Sequence, residues 1–325
     1  MIDRRAFACG AALAPLAINS RAFSQSAWPD RVIRIIVPFA AGAFTDVSAR
    51  LIATELAEQL GQAVIVENRT GAGGATGTTA VVRAPGDGYT LLLTDTSLST
   101  SPGLYPNLPY DAVRDLAQIS QIAVSPSILL VRRDLGPRTL AELIALAKQK
   151  PGEISFGSGG PGSSAHLAME LLLDAAGVRG LHVPFRGVAA AITEVIAGHV
   201  DMVIASLAAG VAQVNGGTLV GVAVSGDQRS PLLPQVPTFA EAGLPAYDMT
   251  YRWGLAAPAG TPGEIIARLN REVVRACAQP RLRNAFTQQA ATAAASTPEE
   301  MQALLVREIA LWTGVITRAK VSIKS

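Results

Sequence analysis

From Trp28 onward the sequence repeats one unit: a short apolar run, a loop of glycine and other small residues, then apolar residues at helical spacing. The run Val32 to Phe39 leads into Pro38-Phe39-Ala40-Ala41-Gly42-Ala43-Phe44-Thr45-Asp46, and Val47, Leu51, Ile52 and Leu56 then mark one helix face. A second strand is predicted over Ala63 to Glu67, followed by Gly71, Gly73, Gly74 and Gly77. A third covers Tyr89 to Thr94 after the Asp87-Gly88 turn and ends in Thr94-Asp95-Thr96-Ser97. Strands and helices alternating in this way predict an α/β fold with a mostly parallel sheet under helices.

A second set starts with the predicted strand Ile128 to Val131. A helix capped by Thr139 runs through Leu140, Leu143, Ile144 and Ala147 to a stop at Pro151-Gly152. Strands are then expected over Ile154 to Gly157, His182 to Phe185, Asp201 to Ala205 and Val220 to Ser225, with helices over Ser163 to Ala176 and Ala189 to Ala197. Pro231, Pro234, Pro237 and Pro245 punctuate a connection to one short strand, Gly254 to Ala257. The tail is helical, with the stripe Ile265, Ile266, Leu269, Val273 and Cys277 and a final helix started by Thr297-Pro298-Glu299-Glu300. Two α/β lobes follow, residues 27–126 with 250–325 and residues 127–249, joined by at least two crossings and separated by a cleft. Ligands of open α/β sheets bind outside the carboxyl ends of strands, which singles out the loops after Phe39, Thr94, Gly157, Phe185 and Ala205.

Residues 1–26 read as an export signal: Asp3-Arg4-Arg5, the apolar run Ala6 to Ile18, and the small-residue site Ala22-Phe23-Ser24. Arg4-Arg5 fits a twin-arginine signal and an ordinary secretory one alike, and both lead to the periplasm. Cleavage would remove Cys9 and leave Cys277, which cannot form an internal disulfide and is expected to be a buried or half-buried helical residue. It would also remove three basic residues and one acidic one, taking the formal charge from +2 to zero. A neutral chain with 5% aromatic residues lacks the basic, ring-bearing face that nucleic acid demands. Beyond the signal no apolar run is long enough to span a bilayer, so a soluble protein is expected.

Two loops carry the binding chemistry. The Phe39-to-Asp46 loop opens a helix, so its backbone N–H groups and the helix dipole can cradle an anion; alternatively Thr45 or Asp46 merely caps the helix. Ser155-Phe156-Gly157-Ser158-Gly159-Gly160-Pro161-Gly162-Ser163-Ser164-Ala165-His166 holds more hydroxyls and glycines than capping requires, which points to binding. Ser158-Gly159-Gly160-Pro161 resembles a serine-protease nucleophile loop, but Gly157 stands where that loop has Asp. Gly71, Gly73 and Gly77 lack the following acidic residue of a dinucleotide loop and the Lys of a triphosphate loop. His166, His182 and His199 show no metal spacing and read as structural. No catalytic set, metal or cofactor is expected, so the chain reads as a binder and not an enzyme.

Taken together, Pro38-Phe39-x-Ala41-Gly42-x-x-Thr45-Asp46-Val47, Val64-Ile65-Val66-Glu67-Asn68-Arg69, Asp87-Gly88-Tyr89-Thr90-Leu91-Leu92, Leu104-Tyr105-Pro106, Gly162-Ser163-Ser164-Ala165-His166-Leu167, His182-Val183-Pro184-Phe185-Arg186-Gly187 and Val236-Pro237-Thr238-Phe239 resemble the Bug family. These are extracytoplasmic solute receptors of tripartite tricarboxylate transporters, and the resemblance covers essentially the whole mature chain. It implies a type II periplasmic binding-protein fold, two α/β lobes with a hinge and an interlobe cleft that closes on a small carboxylated solute. It further implies that Phe39, Ala41, Gly42, Thr45 and Asp46 in one lobe, and Ser158, Gly160, Ser163, Ser164 and His166 in the other, hold the solute, with Thr94 and Ser97 as weaker additions. The implied partners are a small carboxylate and the membrane subunits of a transporter; the receptor is expected to be monomeric.

Two departures bear on the solute. Phe44 replaces the usual Gly or small polar residue, and Ala205-Ser206-Leu207 replaces the usual Asp-Asn-Leu. One reading is a less polar pocket suited to a dicarboxylate or aromatic acid over an amino acid; the other is that Phe44 points away and Ser206 caps a helix. Two competing functions are a sensor that presents its closed form to a membrane histidine kinase, and a secreted hydrolase using Ser158 or Ser164.

Overall fold

The computed structural model describes residues 28–42 and 44–322. The expected export signal lies outside the described residues.

Ten strands form one mixed sheet. In chain order they are β1 (Ile33–Val37), β2 (Val64–Asn68), β3 (Thr90–Asp95), β4 (Leu116–Arg132), β5 (Ser155–Ser158), β6 (Leu181–Pro184), β7 (Met202–Ser206), β8 (Leu219–Val224), β9 (Thr250–Pro258) and β10 (Thr292–Ala293). The helices are α1 (Phe44–Leu60), α2 (Ala75–Val82), α3 (Ser97–Leu104), α4 (Leu140–Gln149), α5 (Ser164–Ala176), α6 (Val188–Ile196), α7 (Leu207–Asn215), α8 (Gly263–Ala278), α9 (Pro280–Gln288) and α10 (Pro298–Ala319).

The 17-residue strand β4 organises the whole sheet. Its first part, Leu116 to Pro126, pairs antiparallel with β9; its second part, Ser127 to Val131, pairs antiparallel with β7 and, on the other side, β8. Sequence patterning catches only the second part, because Gln118, Ser120, Ser125 and Ser127 are buried polar residues that interrupt the apolar run. The serines among them find partners in the protein itself: Ser125 Oγ donates to the Ala290 carbonyl, and Ser127 Oγ lies 3.3 Å from Tyr247 Oη.

Strand directions fix where the loops point. β1 and β3 are parallel to each other, and β3 is antiparallel to β9, which is antiparallel to β4. Hence β1 and β3 run in the same sense as β4, toward its second part. β7 is antiparallel to β4, and β5 is parallel to β7, so both run back toward the first part. The carboxyl ends of both strand sets therefore converge on the junction near Pro126 and Ser127.

Each side of the junction has its own apolar interior. Ile33, Ile35, Ile52, Leu56, Leu91, Leu255, Leu269 and Phe286 form one cluster; Leu129, Phe156, Leu167, Ile204 and Phe239 belong to another. Two helix starts behave as the sequence predicts: Thr139 closes a capping box with Glu142 at the start of α4, and Thr297 does so with Glu300 at the start of α10. Cys277 is buried and its thiol is pushed up to about 12 by burial, which keeps it protonated and unreactive. Helix α10 serves both sides. Its Leu305 packs with Ile36 and Leu92, while Trp312, Val315 and Ile316 pack with Phe156 and Leu167, and Arg318 pairs with Asp174 of α5 at 2.7 Å.

Candidate solute-binding site

The first loop leaves β1 at Val37 and enters α1 at Phe44. Its organiser is Asp46, which is 3% exposed. The Asp46 carboxylate accepts from the Gly42 amide at 3.1 Å, from Arg50 at 3.0 and 2.9 Å, and from Asn68 Nδ2 at 2.9 Å. Asn68 also donates to the Phe39 carbonyl, so β2 holds both ends of the loop. The Arg50 hydrogen bonds, aided by those from Asn68 and Gly42, outweigh burial and push the Asp46 carboxyl down to about 2. Asp46 is thus a clasp for the loop. Gly42 adopts φ +90°, a conformation that favours glycine, and its N–H is engaged by that clasp. The first-turn amides of α1 have no carbonyl partner within the helix and so remain the groups able to meet an anion.

Thr45 and Phe44 are fixed from behind. Trp253 of β9 donates its Nε1–H to Thr45 Oγ1 at 3.1 Å, and Thr45 stands 3.5 Å from Asp95 Oδ2. The Phe44 ring packs edge-on to Trp253, centroids 4.4 Å apart, and 5.9 Å from Phe286. Phe44 therefore props the start of α1 against the core. At the end of β3, Thr94 is buried, and Ser97 donates its amide and hydroxyl to Asp95 at 2.9 and 2.5 Å. Ala41 is exposed and Phe39 half-buried.

The glycine-rich segment after β2 has a packing role. A Cβ on Gly77 would stand 2.8 Å from the Arg69 carbonyl and 2.8 Å from Pro38 Cα, both backbone atoms. Glycine here lets α2 lie directly against the base of the first loop.

The second loop leaves β5 and enters α5. Ser163 is the N-cap of α5, its Oγ accepting from the His166 amide at 3.3 Å. His166 Nδ1 accepts from the Gly162 amide at 3.0 Å, which places its ring proton on Nε2, 3.4 Å from Glu170. Ser164 and Gly160 are half-buried at the loop surface, and Gly160 adopts φ +113°. Ser206 stands at the N-cap position of α7 without a side-chain capping bond.

Sequence reasoning read His182 as a structural histidine, and the structure places it against this loop. Register pairs Phe156 with His182, and the His182 ring stacks on His166 at 3.7 Å between centroids. Its Nε2 lies 2.7 Å from Ser158 Oγ. Burial, then the neighbouring His166, push the His182 imidazole down to about 4, so it is neutral at pH 7. The signal available in the sequence was the parallel β5–α5–β6 unit, which lays β6 beside β5 and so sets His182 next to Phe156 at the base of the second loop. Ser158 and His182 form a hydroxyl–imidazole pair, yet Ser158 is fully buried and its Oγ is also bonded to Gly160, so the hydroxyl is enclosed and does not face a substrate carbonyl.

Two helix N-termini, each on a loop stiffened by its own side chains, thus point at one junction from opposite sides. Residues 48–321 match the family described as tripartite tricarboxylate transporter family receptor. The chain belongs to that family. The receptor is 36% identical to protein BugT of Bordetella pertussis, with 93% of each chain covered. Among solved structures it is similar to an R. palustris protein with adipate, at TM-score 0.78 and 33% identity, covering 91% of this chain and 100% of that one. It is also similar to MatC of Rhodopseudomonas palustris with bound malate, at TM-score 0.74 and 32% identity, covering 89% and 100%. The family and the fold are those of periplasmic solute-binding receptors, with no catalytic requirement.

Proposed function

We propose that this receptor captures a small organic carboxylate between residues 27–126 with 250–325 and residues 127–249, and delivers it to the membrane subunits of a tripartite tricarboxylate transporter. The observation that carries the reading is the convergence of the α1 and α5 N-termini on the junction at Pro126 and Ser127. Each terminus presents partial positive charge, so a solute with a carboxylate at each end can bridge them without a buried arginine or lysine. Adipate and malate, bound by similar proteins, have that form. Exposed Ala41 and half-buried Ser164 and Gly160 supply the contact surface; Asp46 and Ser163 hold the loops in shape.

Closure would bring the two loops onto the solute, and the membrane partner would recognise the closed form. Ala205 in place of the family's Asp, and Ser206 in place of its Asn, leave no carboxylate there to pair with an ammonium, so plain dicarboxylates are preferred over amino acids. A thermal-shift series with adipate, malate, citrate, benzoate and glutamate tests this. At 100 times Kd a bound acid should add about 2.7 kcal/mol of stability. A response to glutamate equal to that of the plain acids would overturn the preference. The absence of any response, with no acid released on denaturation and found by mass spectrometry, would overturn the carboxylate reading itself.

A further inference from the structure

Behind the first loop, between the sheet and helices α3 and α10, lies a partly open pocket with about 40 Å³ of space accessible to water. Asp95 at the end of β3 lines it on the side of the first loop, and the rest of its polar lining is Gln118 and Gln121 of β4, Arg252 of β9, Ser99 of α3 and Glu308 of α10. Gln118 is 4% exposed, yet neither its Nε2 nor its Oε1 meets a protein hydrogen-bond partner, and Gln121 Oε1 is buried in the same condition. A buried amide whose hydrogen bonds are unmet is costly, and β4 offers apolar alternatives at neighbouring positions. Gln118 and Gln121 both line the one cavity, so their needs can be met by the same guest.

We infer that this cavity is a built site for a bound water molecule that joins β4 to the helices beneath it. The size admits water, since about 10–15 Å³ of such space holds one molecule, and a polar site with two to four partners retains it. The chemistry agrees, because water can accept from Gln118 Nε2 while donating to Gln121 Oε1, and an ion of either sign could not do both. Arg252 and Glu308 already pair with one another at 3.0 Å, so neither presents an unpaired charge to an ion. That same pair also lines a neighbouring groove of about 320 Å³ beside Asp248 and Leu311.

A high-resolution crystal structure of the mature receptor, with a Gln118→Leu variant beside it, tests the site. The expected result is a single peak about 2.7–3.2 Å from Gln118 Nε2 and Gln121 Oε1, lost in the variant. In solution, the Gln118 side-chain amide protons should show a cross-relaxation peak to a bound water. The inference is overturned if the Gln118 amide instead turns to a protein partner, if no peak lies between the two glutamines, or if the peak refines as an ion. The wild-type structure and the solution measurement decide the matter even where Gln118→Leu fails to fold.

Discussion

Trp253 donates its indole N–H to the Thr45 hydroxyl at 3.1 Å, so a strand that begins at the junction pins the first turn of the helix that opens the solute site. Both residues are buried. Replacing Thr45 with Val keeps the shape and removes the acceptor, leaving a buried N–H unmet. A loss of about 1–3 kcal/mol is expected in urea denaturation, with Thr45→Ser restoring most of it. Solute affinity should fall in Thr45→Val and recover in Thr45→Ser, as calorimetry would show.

The stacked imidazoles of the second loop predict an acid-sensitive receptor. His182 titrates near pH 6.5 when unfolded and at about 4 when folded. Between those values the unfolded chain binds the extra proton, so this contribution is fully present above pH 6.5 and is lost as the pH falls toward 4. The melting temperature should decline across that window, and His182→Gln should flatten the decline. Facing His182 are His166, Glu170 and Ser158; His166→Asn tests whether the neighbouring ring steepens the response.

The Asp46 clasp acts in a lower window. Its folded carboxyl is pushed down to about 2 from an ordinary 3.8, so the stabilisation it provides is present above pH 3.8 and lost as the pH falls toward 2. Asp46→Asn should destabilise the protein at pH 7 by about 1–3 kcal/mol. The difference between the variant and the parent should shrink on acidification, which parallel denaturation curves at pH 7 and pH 3 would measure.

Gly77→Ala asks whether the site loop rests on a backbone contact. The new Cβ would press on Arg69 O and Pro38 Cα at 2.8 Å, and neither atom can rotate away. About 1–3 kcal/mol of destabilisation is expected. A crystal structure of the variant should show Pro38 displaced away from α2.

Apolar periodicity made most of the strands and helices legible, since Ile33, Ile35, Leu91 and Leu93 fill the core that their spacing implies. The first part of β4 was not, because buried polar residues interrupt its apolar run, and its serines are satisfied by segments far along the chain, such as Ser120 with Ser296. Helix α3 was hidden in the same way, by the hydroxyl-rich run Ser97-Leu98-Ser99-Thr100-Ser101 with Pro102 behind it. In the site, loop identity was legible and side-chain roles were not. Phe44 looks in sequence like a residue for a ligand ring and in space is engaged by Trp253 and Phe286. His182, 24 positions from Ser158, joins it only through strand register.

Helix α10 completes the interior on both sides of the junction, through Leu305 on one and Trp312, Val315 and Ile316 on the other. These residues follow every strand of the sheet in chain order. Neither half of the molecule has its full complement of core contacts until this helix is in place. Folding of the two halves is thereby coupled: without α10 there are two unfinished cores, and one helix closes both.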